Sequence, residues 1–308
     1  RLLLKFGGYY EREEKQFVAY AHKTWSAAAP FAGQRVSFSG DTLIEGIRTK
    51  TSHLEIPVEI NGQKTDFVFD TGANVSNISA SEARRLGLEI IETDIPVGTS
   101  SDILIDAKFA VAPGLKLGNA SFENVVFLVL RDEDIYFKKH DYQMNGILGY
   151  PVIEACRRIS VTRTDEVLIP EQTEKRETEQ NLCVDEMMPL MNLLYKDRPI
   201  TLILDTGGHK TQFWEKFLKI EETGNKEKAR LEAAAFGGAG GQKTAQVYIL
   251  DELTLPFSGK TVTLNEVKIF PKPHHTMSRR FFGLIGQDLI RQFDKMTIDF
   301  EAMNVAFE

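Results

Sequence analysis

The feature that most constrains this chain is a set of motifs that occurs twice, in one order and at nearly one spacing. Phe67-Val68-Phe69 runs into Asp70-Thr71-Gly72, and Leu202-Ile203-Leu204 runs into Asp205-Thr206-Gly207. Gly146-Ile147-Leu148-Gly149 begins 76 residues after the first Asp (146 − 70), and Gly283-Leu284-Ile285-Gly286 begins 78 after the second (283 − 205). Between them lie the turns Gly98-Thr99-Ser100-Ser101 and Gly237-Gly238-Ala239-Gly240-Gly241, at offsets of 28 (98 − 70) and 32 (237 − 205). Upstream, Ile56-Pro57-Val58 and Met188-Pro189-Leu190 open the strand that leads towards each triplet. One Asp-Thr-Gly is a common turn, because Gly supplies positive φ cheaply. Two of them, each behind an apolar run and followed at matching distance by Gly-apolar-apolar-Gly, predict a duplicated lobe.

The length agrees, since 308 residues leave room for about two domains. Residues 1 to about 35 read as helical, with Tyr9, Tyr10, Phe17, Tyr20, Ala21 and Trp25 at three- and four-residue spacing until Pro30 and Gly33 end the pattern. From Leu43 the texture becomes β: short β-branched and aromatic runs punctuated by Gly, Asn, Asp and Pro. Ile56–Ile60, Asn61-Gly62 and Thr65–Phe69 read as strand, tight hairpin turn and strand. A short helix is expected over Ser81–Leu86, capped by Ser81 and stopped by Gly87. Glu171–Asn181 holds no apolar residue and reads as a solvated linker. The Lys/Glu-rich stretch Phe213–Ala235 reads as one or two helices inside the second β region. The division expected is 1–42 as a helical N-terminal segment, 43–170 and 182–308 as lobes, and 171–181 as linker.

Several functions are set aside by composition. The balance of 37 basic against 44 acidic side chains, net −7, has the wrong sign for a protein held to phosphate backbones by its overall field, so no nucleic-acid partner is expected. The longest strongly apolar run, Val125–Leu130, suits a buried strand and is far short of a bilayer span. Cys156 and Cys183 match no zinc or disulfide framework and read as free thiols or as one optional bridge. Gly240-Gly241-Gln242-Lys243-Thr244 falls short of a phosphate-binding loop, because Gln242 stands where Gly should precede Lys and the surroundings are β. His274-His275, after Pro271 and Pro273, reads as an exposed loop pair rather than a metal site, so no metal or other cofactor is expected. The aromatic positions of the first 35 residues read as a helix face packed on a lobe.

With both triplets in view, the chain resembles the aspartic peptidases. Asp70-Thr71-Gly72-Ala73 is similar to the active-site tetrapeptide of retropepsins, two triplets in one chain resemble the bilobal pepsin-like arrangement, and Gly283–Phe300 resembles the end of a pepsin-like C-terminal lobe. The likeness spans roughly Leu43 to Glu308. It implies a mainly β molecule, two β-barrel-like lobes of the acid-protease fold about a pseudo-twofold cleft, preceded by the helical segment and working as a monomer on peptide or protein substrates. A bacterial periplasmic, cell-envelope or secreted setting is implied too. The opening at Arg1 rather than Met fits a chain that has lost a signal peptide or a larger N-terminal region.

The resemblance makes Asp70 and Asp205 the catalytic residues. Two carboxylates in contact cannot both ionise cheaply, so they share one proton, as is established for aspartic proteases in general. One carboxylate then takes a proton from water, and the other hydrogen-bonds the scissile carbonyl. Thr71, Gly72, Thr206 and Gly207 orient the pair in this family. Gly98, Thr99, Ser100, Gly237 and Gly238 are candidates for hairpin tips over the cleft, although neither turn carries the Tyr of a pepsin-like flap. Ala73 and Gly208 stand where pepsin-like enzymes usually carry Ser or Thr; one donor fewer to the charged form implies activity nearer neutrality. His209 follows the second triplet and reads either as a surface residue or as a group that tunes or blocks the pair. The alternative to a peptidase is a silent peptide-binding module on the same bilobal frame.

Overall fold

The computed structural model describes residues 34–99, 103–174, 178–221, 229–238 and 240–308. The molecule is mainly β. In the first half, alternation in Leu54–Ile60 sends Leu54, Ile56, Val58 and Ile60 into the core and leaves Glu55, Pro57 and Glu59 on the other face. Asn61-Gly62 turns this strand into Gln63–Phe69, with both turn residues at positive φ, as expected. The sheet runs Arg35–Phe38, Ala120–Leu130, Ser76–Ser79, Gly146–Leu148, Gln63–Phe69, Leu54–Ile60, Leu104–Leu117, Ile90–Gly98. Leu104–Leu117 also pairs with Ala120–Leu130, which closes six of these strands into a ring. A single core fills the ring, with Phe67 edge-on to Phe127 at 5.8 Å.

In the second half the sheet runs Leu182–Asp185, Met188–Tyr195, Arg198–Leu204, Gly283–Ile285, Gln212–Phe213, Lys260–Ile269, Gly241–Phe257, Arg230–Gly238. The conserved order of the motifs has a structural reason. Gly146–Leu148 lies parallel to the strand that ends in Phe69 and antiparallel to Ser76–Ser79; Gly283–Ile285 lies parallel to the strand that ends in Leu204 and antiparallel to Gln212–Phe213. Each Gly-apolar-apolar-Gly therefore fills the slot between the strand before its Asp and the strand after it. A Cβ on Gly149 would lie 2.6 Å from the Ala73 carbonyl oxygen, and one on Gly286 2.6 Å from the Lys210 carbonyl carbon, so both closing glycines are sterically required.

A third sheet takes strands from both halves: Thr42–Glu45, Glu166–Ile169, Arg158–Thr162, Lys295–Asp299 and Asn304–Phe307. Arg158–Thr162 pairs with Lys295–Asp299 over five residues. The buried Arg158–Asp299 pair, at 2.6 Å, lies at one end of that seam. Both cysteines are free and buried.

Several expectations change. Residues 1–33 lie outside the described residues, and with them nearly all of the predicted N-terminal helix and its aromatic face. The described end of that segment, Arg35–Phe38, is a strand on Ala120–Glu123, because Val36 and Phe38 alternate onto the core. The short helix runs Ala80–Arg85, and its cap is Ser79 rather than Ser81: the Glu82 N–H donates to Ser79 Oγ at 3.1 Å. Of Phe213–Ala235, only Glu215–Ile220 is helical among the described residues; Arg230–Gly238 pairs along its length with Gly241–Ile249. Cross-strand pairing there overrides the helix preference of Ala233-Ala234-Ala235.

Candidate active site

Each Asp sits where its strand stops. The Asp70 N–H donates to the Leu148 carbonyl at 3.1 Å and the Asp205 N–H to the Ile285 carbonyl at 3.1 Å, so the Gly-apolar-apolar-Gly strand fixes the backbone of the Asp beside it. The loops that follow meet. Thr71 Oγ1 donates to the Leu204 carbonyl (2.5 Å) and accepts from the Thr206 N–H (3.0 Å); Thr206 Oγ1 donates to the Phe69 carbonyl (3.0 Å) and accepts from the Thr71 N–H (2.9 Å). All four bonds are buried. The glycines allow the approach: a Cβ on Gly72 would lie 2.6 Å from Asp205 Oδ1, and one on Gly207 would overlap the Asp70 carboxyl.

The Asp70 and Asp205 carboxyls are hydrogen-bonded to one another. Burial pushes both above the usual carboxylate range. Asp205 is driven further by the charge of Asp70. The Gly72 N–H donates to Asp70 Oδ1 and the Gly208 N–H to Asp205 Oδ1, both at 2.8 Å. The arrangement is two adjacent carboxyls, each held by a backbone donor.

Further support was missed in the sequence. Ser76 Oγ accepts from the Gly149 N–H and Thr211 Oγ1 from the Gly286 N–H, each at 3.0 Å. Both hydroxyls stand six residues after their Asp (76 − 70, 211 − 205), so the duplication itself carried the signal. Gln287 Nε2 donates to the Thr206 carbonyl at 2.6 Å.

The hairpin candidates come together. Gly98 and Thr99 end the hairpin Ile90–Gly98/Leu104–Leu117, and Gly237 and Gly238 end Arg230–Gly238/Gly241–Phe257; Ser100 lies outside the described residues. The tips touch: the space a Gly240 Cβ would need is held by Thr99, and Gly241 lies against Ile103. The Gly240 N–H donates to the Asp134 carbonyl at 2.6 Å. Ile103, Ile105 and Val97 of the first hairpin pack in one apolar layer with Val68 and Ile147, the residues beside Asp70.

The histidines read differently in the fold. His209 is exposed, and its charge bears on His53, whose pKa burial and the neighbouring His209 and Arg48 lower to about 4. His274 is not an exposed loop residue: it stacks on Phe270 at 3.9 Å and meets Phe236 edge-on at 5.0 Å, while His275 meets Trp214 edge-on at 4.8 Å. Among the described residues no three His, Cys, Asp or Glu side chains gather in a metal-binding group.

Residues 56–152 match a family model described as aspartyl protease. That stretch takes in Asp70-Thr71-Gly72 and Gly146–Gly149, and the relationship to aspartic peptidases implied by the motifs is shown by it. A retropepsin-like aspartic protease from Rickettsia conorii is a similar solved structure, 21% identical over 44% of this chain and 92% of that one, with a TM-score of 0.32. No curated protein matches the sequence.

Proposed function

We propose that the chain is an aspartic endopeptidase built as two homologous lobes, 43–170 and 182–308, joined by the linker 171–181 and related by a pseudo-twofold axis through the Thr71/Thr206 junction. The observation that carries this reading is the hydrogen-bonded Asp70–Asp205 pair, held by matching contacts from the two halves. The chain supplies both halves itself, so it acts as a monomer.

Asp70 is the base and Asp205 the acid. A water bound between them gives a proton to Asp70 as its oxygen attacks the scissile carbonyl carbon. Asp205 gives its proton to the carbonyl oxygen, which neutralises the charge that develops there. The tetrahedral intermediate collapses by breaking the C–N bond: Asp70 returns its proton to the leaving nitrogen, and one hydroxyl of the intermediate gives its proton back to Asp205 as the C=O re-forms, which restores the starting pair. The threonine junction contributes through position, because a small misalignment of the two carboxyls costs orders of magnitude in rate.

Incubating unfolded protein substrates with the parent, Asp70→Asn and Asp205→Asn from about pH 3 to about pH 8 tests the reading. Cleavage by the parent alone is expected. Cleavage that survives either substitution rules out the paired-carboxyl mechanism, and a parent that cuts nothing favours a silent peptide-binding module.

A further inference from the structure

The two walls beside the carboxyl pair differ in one position that the duplication makes comparable. In the first half Glu55 lies opposite Val68, two residues before Asp70; in the second Leu190 lies opposite Ile203, two residues before Asp205. Directly opposed residues share a face, and residues two apart along a strand do too. Glu55 and Leu190 therefore occupy corresponding sites on the faces that carry the carboxyls. One wall offers a carboxylate there and the other an apolar side chain.

The setting of Glu55 is the unusual part. Its partner is the Tyr142 hydroxyl, which donates to Oε1. Tyr142 and Phe137 lie with ring centroids 6.0 Å apart, Phe137 and His53 5.6 Å apart, and Phe137 and Tyr142 pack on the apolar layer of Val68, Ile105 and Ile147. Burial outweighs the Tyr142 bond and, with the charge of Asp66, pushes the Glu55 carboxyl up. Outside the Asp70–Asp205 pair, the buried carboxylates among the described residues each hold a cation: Glu82 with Arg85, Glu221 with Lys196, Asp299 with Arg158. Glu55, half-buried in an apolar layer, makes no ion pair with any described residue. A carboxylate in such a place without a counter-charge is costly.

We propose that the missing counter-charge comes from the substrate: Glu55 selects a lysine or arginine side chain on the first-half side of the scissile bond, while the Leu190 wall takes an apolar one. This rests on the peptidase reading. Val68 lies about 7 Å along its strand from Asp70, and an extended substrate advances about 3.3 Å per residue, so the selected cation falls within about two residues of the cleaved bond.

Cleavage of a proteome-derived peptide library near neutral pH, mapped by mass spectrometry, reads the preference. The parent is expected to enrich Lys and Arg at one such position, with kcat/KM about tenfold or more above the norleucine-matched peptide. Glu55→Gln, which keeps the shape and the Tyr142 bond, is expected to bring that ratio to about one, and Leu190→Glu to create a second basic preference across the bond. A parent with no basic preference overturns the proposal, as does a Glu55→Gln variant that slows both peptides equally with the ratio intact, the signature of a structural role. Binding separates this from the peptidase reading. On the Asp70→Asn background, random peptide pools containing lysine are expected to bind more tightly than pools containing norleucine, and Glu55→Gln to erase the difference. A binding preference without cleavage by the parent removes the peptidase reading and leaves the subsite. Cleavage without the preference removes the subsite and leaves the peptidase.

Discussion

Thr206→Val is the sharpest probe of how the two halves are held together. Valine keeps the shape of threonine and removes one buried hydroxyl, which accepts from the Thr71 N–H at 2.9 Å and donates to the Phe69 carbonyl at 3.0 Å. Both partners lose that bond in a buried junction. Each buried polar group left unpaired costs about 1–3 kcal/mol, so the loss is about 2–6 kcal/mol. At about 2 °C per kcal/mol, appropriate to a chain of this size, the melting temperature falls by about 4–12 °C. Thr206→Ser keeps both bonds and gives up one methyl group, roughly 1 kcal/mol and about 2 °C. Thermal unfolding followed by circular dichroism, with kcat/KM measured beside it, reads both effects. The valine variant is expected to melt well below the serine variant and to lose activity far more, because the junction aligns the carboxyls. Equal melting temperatures and equal activities for the two variants would refute the reasoning.

Two pH dependences follow from the same structure. The working state, one ionised and one protonated carboxyl, is populated between the two macroscopic pKa values of the pair, and burial raises both groups; the pH–rate profile is therefore expected to peak at weakly acidic to neutral pH, and an optimum below about pH 3 contradicts this. His274 has its pKa lowered from 6.5 to about 4, first by burial and then by His275, so the unfolded chain binds its proton before the folded one does. Its contribution to stability is therefore present above 6.5, falls as pH drops through that value and is gone below about 4. His274→Phe keeps the stack on Phe270, and its melting temperature is expected to fall less on acidification across that window; a fall equal to the parent's sinks the assignment.

Much of the site was legible because the chain states it twice. Asp70 and Asp205 each stand behind an apolar run, and the spacing to Gly-apolar-apolar-Gly is what a parallel pairing beside the Asp strand requires. The first hairpin was legible from Asn61-Gly62, whose turn chemistry is local. What pairs over long distance was not. Nothing near Arg158–Thr162 announces Lys295–Asp299 as its partner, so the sheet joining the halves was invisible. His274 looked exposed because its flanking prolines signal a loop, while of the aromatic side chains that cover it only Phe270 is near in sequence; Trp214 and Phe236 come from distant positions. Glu55 lay outside the strand expected at Ile56–Ile60, and which face of that strand carries the carboxyl pair depends on its register with Gln63–Phe69.

The central claim is that Asp70 and Asp205 act as one unit. Comparing kcat/KM for the parent, Asp70→Asn, Asp205→Asn and the double variant on one cleavable peptide tests it most directly. Each single substitution is expected to lower kcat/KM by about a thousandfold or more, and the double variant to be no slower than the singles, because either change alone already dismantles the unit. A single variant that keeps activity near the parent's, or a double variant whose loss is the product of two separate losses, would contradict the account.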